Sequence, residues 1–513
     1  MLIRRENRLS MLKSCKTGQA RSERTSPILH YDVIIIGAGV VGNAIARELS
    51  RYKIDVAVLE KELDVGMGTS SRNSGVLHSG IHYKPGTLRA RLNIQGNALM
   101  SDLCRDLKVK IKYIGKLTVA QDEADIETLN NLKKQGETNG VPGLEILDSE
   151  QMNKIQPGVS GIKALFSPST GIICPYGLTI ALAENATKNG VRFYLGDEVS
   201  AIEKKGHGFQ LKTLTGKNFT ARVVINSAGL NSDSICRMLG ITEYKIYPCR
   251  GEYLVLDKRL KESLSTLVYP SPLKDRAGLG IHLTNTVDGN ILIGPSNEYI
   301  ENTDDYACTK NIMDKLKKEG HELLPGLTKS DFIRSFAGLR AKQMPSEVGG
   351  FKDFVIESSK DVHGLINLVG IESPGLTCSP AIARMVREMV RELIELKEKT
   401  NFISEQPGRT ELFHELSIEE KLDLVAQNKD YGEIICRCEQ ITRKEILDAI
   451  QNPLGNKTIN GIKYRSRAMM GRCQGGFCLP KIVQILEMEF DYRPENHLLF
   501  SRESSIFTGR VRN

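Results

Sequence analysis

The sequence predicts an α/β protein: a core of buried parallel strands alternating with helices, an antiparallel-sheet insert, and a small helical unit near the C-terminal end. Three observations carry the prediction. A short β-branched run, Val33-Ile34-Ile35-Ile36, passes straight into Gly37-Ala38-Gly39-Val40-Val41-Gly42 and then a helical stretch with apolar positions at Ala44, Ile45 and Leu49. From Tyr247 to Asn297, strand-like runs alternate with turns, as an antiparallel sheet requires. Four of the eleven cysteines crowd into Cys436-Arg437-Cys438 and Cys473-Gln474-Gly475-Gly476-Phe477-Cys478, close to short helical segments.

The first element is explained by its glycines. Gly37 permits a tight turn, Gly39 lets the backbone approach a pyrophosphate, and Gly42 lets helix and strand pack closely. The first N–H groups of the helix then face a diphosphate with the helix dipole behind them. A second strand, Val56-Ala57-Val58-Leu59, ends in Glu60, whose carboxylate can accept both ribose hydroxyls of an adenosine. This order is that of a Rossmann-like dinucleotide site. The chain holds a single fingerprint of this kind, and an acid at its position separates FAD from NAD poorly. The following stretch, from Gly68 to Gly80, favours flavin. It is small, polar and glycine-rich, with Ser70, Ser74 and Gly75 able to run beneath a flat ring system.

Length and composition bound the rest. A chain of 513 residues is too long for one core, so two or three domains are expected. The net charge of +8 is spread along the chain and tryptophan is absent, which argues against nucleic acid. No apolar run reaches the ~18 residues of a membrane span. Most cysteines are scattered singly, as in a reduced cytoplasmic protein. Residues 1–30 carry seven Arg or Lys against two Glu and read as a flexible basic tail, with an organelle-type presequence as the alternative.

Further along, Leu88 to Leu107 reads as a helix, Lys116 to Ala120 as a strand, Asp122 to Gln135 as a polar-faced helix and Pro175 to Asn189 as another. Val199 to Lys204 and Phe209 to Leu214 form a hairpin. Ala221 to Leu230 is a buried strand ending in small residues, which places Ala228 and Gly229 against the dinucleotide. Leu365 to Gly370 is the last buried strand. Gly375, Leu376 and Thr377 lead from it into a helix expected over Ser379 to Leu396, whose N-terminus can face the flavin edge that becomes negative on reduction.

Together these segments resemble the amino-acid-oxidase-like FAD-dependent oxidoreductase superfamily, from Tyr31 to Leu396. The carrying motifs are Asn73-Ser74-Gly75-Val76-Leu77-His78-Ser79-Gly80-Ile81-His82-Tyr83, Gly115-Lys116-Leu117-Thr118-Val119-Ala120, Asn139-Gly140-Val141-Pro142-Gly143-Leu144, Arg250-Gly251-Glu252-Tyr253, Leu279-Gly280-Ile281-His282-Leu283-Thr284 and Ala337-Gly338-Leu339-Arg340-Ala341. They are similar to those of L-2-hydroxyglutarate dehydrogenases, while Ser373-Pro374-Gly375-Leu376-Thr377 is closer to FAD-dependent glycerol-3-phosphate dehydrogenases and oxidases. The resemblance implies noncovalent FAD and hydride transfer from a hydroxyl-bearing carbon to flavin N5. Such chemistry needs a base and a cation for an anionic substrate. His78 and His282 are the base candidates, with His82 as second choice. Arg340 is the candidate for the substrate anion, with Arg250 behind it, and Tyr83 and Tyr269 are possible donors.

The two cysteine pairs, thirty-four residues apart, suit a tetrahedral zinc or a [2Fe–2S] cluster held by Cys436, Cys438, Cys473 and Cys478. Thr442-Arg443-Lys444-Glu445 is a capping box that starts a helix after the first pair, and Cys478-Leu479-Pro480 starts another. Arg437 and Arg472 would offset thiolate charge. This region resembles the [2Fe–2S] domain of bacterioferritin-associated ferredoxin.

The expected organisation is a tail over 1–30, an oxidoreductase over 31–396 with a substrate insert mainly at 240–335, a linker over 397–430 with Gln406-Pro407-Gly408, a [2Fe–2S] domain over 431–490 and a tail over 491–513. The expected function is a dehydrogenase of a small anionic hydroxy compound, either an L-2-hydroxyglutarate-like acid or sn-glycerol 3-phosphate. Its electrons would pass through the cluster to a quinone, a ferredoxin or a partner flavoprotein. The alternatives are an amino-acid or amine oxidase and an electron-transfer subunit of a hetero-oligomer. The expected place is the cytoplasm or the periphery of the inner membrane.

Overall fold

The computed structural model describes residues 27–272, 281–324, 326–405, 412–507 and 509. Gln406-Pro407-Gly408 of the expected linker, Leu279-Gly280 of one motif and nearly all of the expected N-terminal tail lie outside them. The first strand, Ile28–Ile36, begins three residues inside that tail.

Its β-branched residues split by parity, as a strand buried on both faces must. Val33 and Ile35 face one core cluster, and Ile34 and Ile36 face the other. Ile28–Ile36 pairs in parallel with Val56–Glu60 on one side and Asn218–Asn226 on the other. Arg192–Leu195 extends the sheet beyond Val56–Glu60, and Leu365–Val369 runs parallel to the end of Asn218–Asn226. Helices Val40–Leu49, Leu88–Leu107, Pro175–Lys188 and Gly375–Leu393 cover the first face. The carboxyl ends of the parallel strands thus meet the glycine turn, where an open α/β sheet binds its ligand.

The second sheet is mostly antiparallel and nine-stranded among the described residues. Its long pair is Tyr247–Leu256 with Phe332–Lys342. It also takes Glu145–Asp148, Lys163–Phe166 and Lys116–Ala120, the last parallel to Leu267–Pro270, so it draws on more chain than the expected insert.

The last long helix differs from expectation. It spans Gly375–Leu393 with Pro380 inside, rather than starting at Ser379. Pro380 removes one donor to the Leu376 carbonyl, and the Ser379 hydroxyl donates to that oxygen at 2.9 Å instead. The helix therefore keeps its first turn, where Gly375, Leu376 and Thr377 lie.

Helices Arg443–Ile450, Ile459–Ser466 and Cys478–Phe490 form the C-terminal unit around its own core of Ile441, Ile446, Ile462 and Ile482. The capping box at Thr442 and Glu445 is formed. Among the described residues no helix is long and apolar enough to cross a membrane.

Candidate active site

The glycine turn is a close fit. A Cβ at Gly42 would lie 2.1 Å from the Gly37 carbonyl oxygen, and one at Gly37 would lie 2.7 Å from the Ser227 carbonyl oxygen. Gly37 also has φ +101°, which favours glycine. The Ser227 hydroxyl donates to the Ile36 and Gly37 carbonyls, so Ala228 and Gly229 adjoin the turn. Gly39 caps helix Val40–Leu49 with no side chain, leaving its first N–H groups for a ligand, apart from that of Val40, which Ser70 Oγ accepts at 2.9 Å. Glu60 accepts from the Ala38 N–H at 2.7 Å and the Glu62 N–H at 2.9 Å. Burial raises its carboxyl to about 7. Gly75 is held by Asn73, which accepts its N–H, and a Cβ there would strike the Ile173 carbonyl oxygen at 2.3 Å. An uncapped helix start and a glycine cradle supply the N–H donors that the diphosphate of FAD needs, and the acid at the end of the second strand supplies an acceptor for the ribose.

His78 sits where this cradle meets helix Gly375–Leu393. Its N–H donates to Thr377 Oγ1 at 3.1 Å, and its carbonyl accepts from Asn93 and Asn97. Its Nε2 lies 3.2 Å from Ser373 Oγ. Burial, helped by Lys116 and His282, holds its imidazole down to about 3, so it is neutral. The loop before Thr377 is fixed by a buried ion pair, Arg89 to Glu372 at 3.0 Å, and Arg89 also donates to the Ser373 carbonyl. Tyr83 meets the His78 ring edge-on with centroids 6.3 Å apart. Tyr269 stacks on His282 with centroids 3.8 Å apart.

Arg340 and Arg250 part company. Strand register pairs Cys249 with Arg340 and Arg250 with Leu339, so the two arginines point to opposite faces of the sheet. Arg340 crosses Gly251, where a Cβ would meet its guanidinium at 2.7 Å. Its Nη2 donates to the Ser296 carbonyl at 3.2 Å, and Nη1 lies 3.5 Å from Asn297 Oδ1. These partners are neutral, and among the described residues no carboxylate pairs with the guanidinium. Arg250 instead faces Glu298 at 2.7 Å, Asp305 at 2.8 Å and Glu252 at 3.4 Å. Three carboxylates therefore surround the fork of this second candidate for the substrate anion.

Three features escape the sequence reading. Lys116 is buried with its Nζ 2.9 Å from His82 Nε2. The signal for it was a lysine opening a strand that is buried at every position. Tyr253, buried and stacked on Phe336, bridges toward Arg340 and Ser74. Arg465 and Arg467 hold the C-terminal unit against the rest of the chain, which no local pattern reveals.

The cysteines meet as two pairs. Cys436 neighbours Cys478, and Cys438 neighbours Cys473, each close enough to shift the other's titration. Backbone N–H groups of Met469 and Glu439 reach Cys436, and its thiol is pulled down to about 6, mainly by Cys478. Among the described residues no three His, Cys, Asp or Glu side chains form a set for a single metal ion. Two thiolate pairs with N–H donors suit a cluster of two irons, each taking two sulfurs. Cys478 opens its helix as expected, but Cys436 ends the short strand Ile434–Cys436, ahead of the next helix start. Arg472 is bound to Asp257 at 2.7 Å.

Comparison with known proteins agrees with this geometry. Residues 32–389 match the FAD dependent oxidoreductase family, and residues 434–488 match the BFD-like [2Fe-2S] binding domain. A glycerol 3-phosphate dehydrogenase of Caloramator mitchellensis is 42% identical over 90% of this chain and 94% of its own. The human mitochondrial L-2-hydroxyglutarate dehydrogenase is 30% identical over 74% of this chain and 92% of its own. The dithionite-reduced L-alpha-glycerophosphate oxidase of Mycoplasma pneumoniae, solved with FAD bound, superposes with a TM-score of 0.69 at 29% identity, covering 74% of this chain and 99% of that one.

Proposed function

The chain belongs to the FAD dependent oxidoreductase family and carries a BFD-like [2Fe-2S] binding domain, and from that premise we propose that it is an sn-glycerol 3-phosphate dehydrogenase. The likeness to a glycerol 3-phosphate dehydrogenase over 90% of the chain carries this reading. FAD, when bound, supplies a two-electron acceptor for the hydride from the carbinol carbon. The chain's own residues do the rest. Gly37, Gly39, Gly42 and Glu60 hold the dinucleotide, and Ser70, Ser74, Gly75, Ala228, Gly229 and the first turn at Gly375, Leu376 and Thr377 line it. Arg340 takes the substrate anion through its planar fork. His78, neutral and fixed by Ser373 and Thr377, His282 and His82 are the imidazoles from which the base for the hydroxyl is drawn. Cys436, Cys438, Cys473 and Cys478 hold the cluster that passes electrons to an external acceptor.

A second reading, L-2-hydroxyglutarate as substrate, is favoured by the Asn73–Tyr83 motif and the 30% identity to the human enzyme. One experiment separates them. Anaerobic sn-glycerol 3-phosphate should bleach the flavin band of the purified holoenzyme, and L-2-hydroxyglutarate should do so far more slowly. The reverse order favours the second reading. Bleaching by an amine alone would place the enzyme with the amine oxidases, and no turnover with any donor and an artificial dye would leave an electron-transfer subunit.

A further inference from the structure

Strand Lys116–Ala120 is buried throughout, yet it opens with a lysine that is only 1% exposed. The groups that face this lysine come from four places. His82 approaches from the loop after Leu77, with Nε2 at 2.9 Å. Tyr269 lies beneath it on the neighbouring strand, with the ring centroid 5.0 Å from Nζ. His282 stacks on that ring from the next strand, and His78 stands close enough for Lys116 to depress it. On the other side, Ser167 exchanges only backbone hydrogen bonds with Lys116, its N–H to the Lys116 carbonyl and its carbonyl from the Lys116 N–H. Among the described residues no carboxylate pairs with this ammonium.

A buried, unpaired ammonium is costly, and such groups gather where protons or anions are handled. Desolvation brings the Lys116 ammonium down to about 7, so the amine is available near neutral pH. His82, pushed well below its ordinary value by burial and by Lys116, is a poor resting place for a proton but a good conduit. His82 is half-buried as a residue, whereas Lys116 is sealed.

We propose that Lys116 is the final acceptor of the substrate's hydroxyl proton, which reaches it through His82. The inference rests on the dehydrogenase reading above. In the reaction the C–H bond breaks with its electron pair, which leaves as hydride to the bound flavin. The O–H bond breaks as C=O forms, and its proton goes to Nδ1 of His82. The proton on His82 Nε2 crosses to the neutral Lys116 amine. One hydride and one proton leave the substrate, and both are accounted for. Lys116 is thus a positioning and proton-storing residue that acts through His82, and below about pH 7 it is already protonated and the relay is blocked.

The test uses the holoenzyme and its Lys116→Met, Lys116→Arg and His82→Gln variants, with flavin bleaching by sn-glycerol 3-phosphate followed anaerobically by stopped flow from about pH 5.5 to 9. The wild-type rate should rise through about pH 7 to a plateau. All three variants should lose at least ~100-fold on the plateau together with the limb, at normal FAD content. A Lys116→Arg enzyme with the wild-type rate would mean that only the charge matters and would overturn the relay. A Lys116→Met enzyme that keeps both rate and limb would overturn it as well. If Lys116→Met emerges without flavin, His82→Gln decides by the same limb. A titration of the oxidised flavin's absorbance without substrate should show a step near pH 7 that Lys116→Met lacks, and absence of the step from the wild type would sink the proposal. Failure of both hydroxy compounds to bleach the wild type would overturn the dehydrogenase reading alone, and that titration would still decide the role of Lys116.

Discussion

What separates the two arginines is the company each keeps. Arg340 meets only neutral groups among the described residues, a carbonyl, an amide, the Cys249 thiol and Tyr253, whereas Arg250 is enclosed by Glu252, Glu298 and Asp305. On the proposed reading the first meets the substrate anion and the second is held by its carboxylates. Arg340→Ala should therefore cost ~2–5 kcal/mol of transition-state binding, about one and a half to three and a half decades in kcat/KM. Arg340→Lys should recover part of it, since the charge survives without the fork. FAD content should stay normal, and a neutral substrate analogue should lose little. Apoprotein or aggregate from Arg340→Ala would make the residue structural. Both arginines stood in recognisable motifs, but only strand register tells which face each side chain takes.

Among the elements, the contact between helices Leu88–Leu107 and Gly375–Leu393 governs the site. They approach so closely at Gly96 that a Cβ there would lie 2.1 Å from the Thr377 carbonyl oxygen. Gly96→Ala must push the first turn of the second helix away, at ~1–3 kcal/mol for overpacking. Thr377 also holds the His78 backbone, so the variant should show a lower Tm and reduced FAD retention together. A lower Tm with full FAD content would mean that the turn does not serve the flavin. The helix Leu88–Leu107 was legible to the residue from its apolar spacing. The start of Gly375–Leu393 was not, because a proline within the first two turns reads as a boundary until the Ser379 hydroxyl is seen to take over the bond.

At the scale of the whole molecule, the C-terminal unit is clamped to both larger parts. Arg465, buried, pairs with Asp64 at 2.6 Å and Glu184 at 2.9 Å beside the dinucleotide turn. Arg467 pairs with Asp288 and with Glu439 at 3.1 Å, and donates to the Tyr176 hydroxyl at 2.8 Å. Lys258 pairs with Glu439 at 2.6 Å. Removing one partner of a buried charge cluster typically costs ~3–5 kcal/mol. Arg465→Met should thus release the C-terminal unit, seen as faster proteolytic cleavage between the two family-matched regions, while flavin bleaching by substrate persists. Unchanged proteolysis would show that the clamp is not needed. Cys478→Ser should abolish the cluster's visible and electron-paramagnetic-resonance signals but leave bleaching intact, and transfer to a one-electron acceptor should fall. An unchanged spectrum would remove Cys478 from the ligand set.

The sequence by itself determined what local chemistry dictates. The glycine turn, the acid at Glu60, the capping box at Thr442 and the two cysteine pairs depend on neighbours within a few residues or on a fixed spacing, so they can be read before folding. Only the tertiary structure decided which distant groups meet. Lys116, His82, Tyr269 and His282 come from separate strands and loops. Arg250 is enclosed because Glu298 and Asp305 arrive from far along the chain. The arginine clamp joins residues hundreds of positions apart. Burial and charge pairing are properties of the assembled core, and the pattern of any one segment does not contain them.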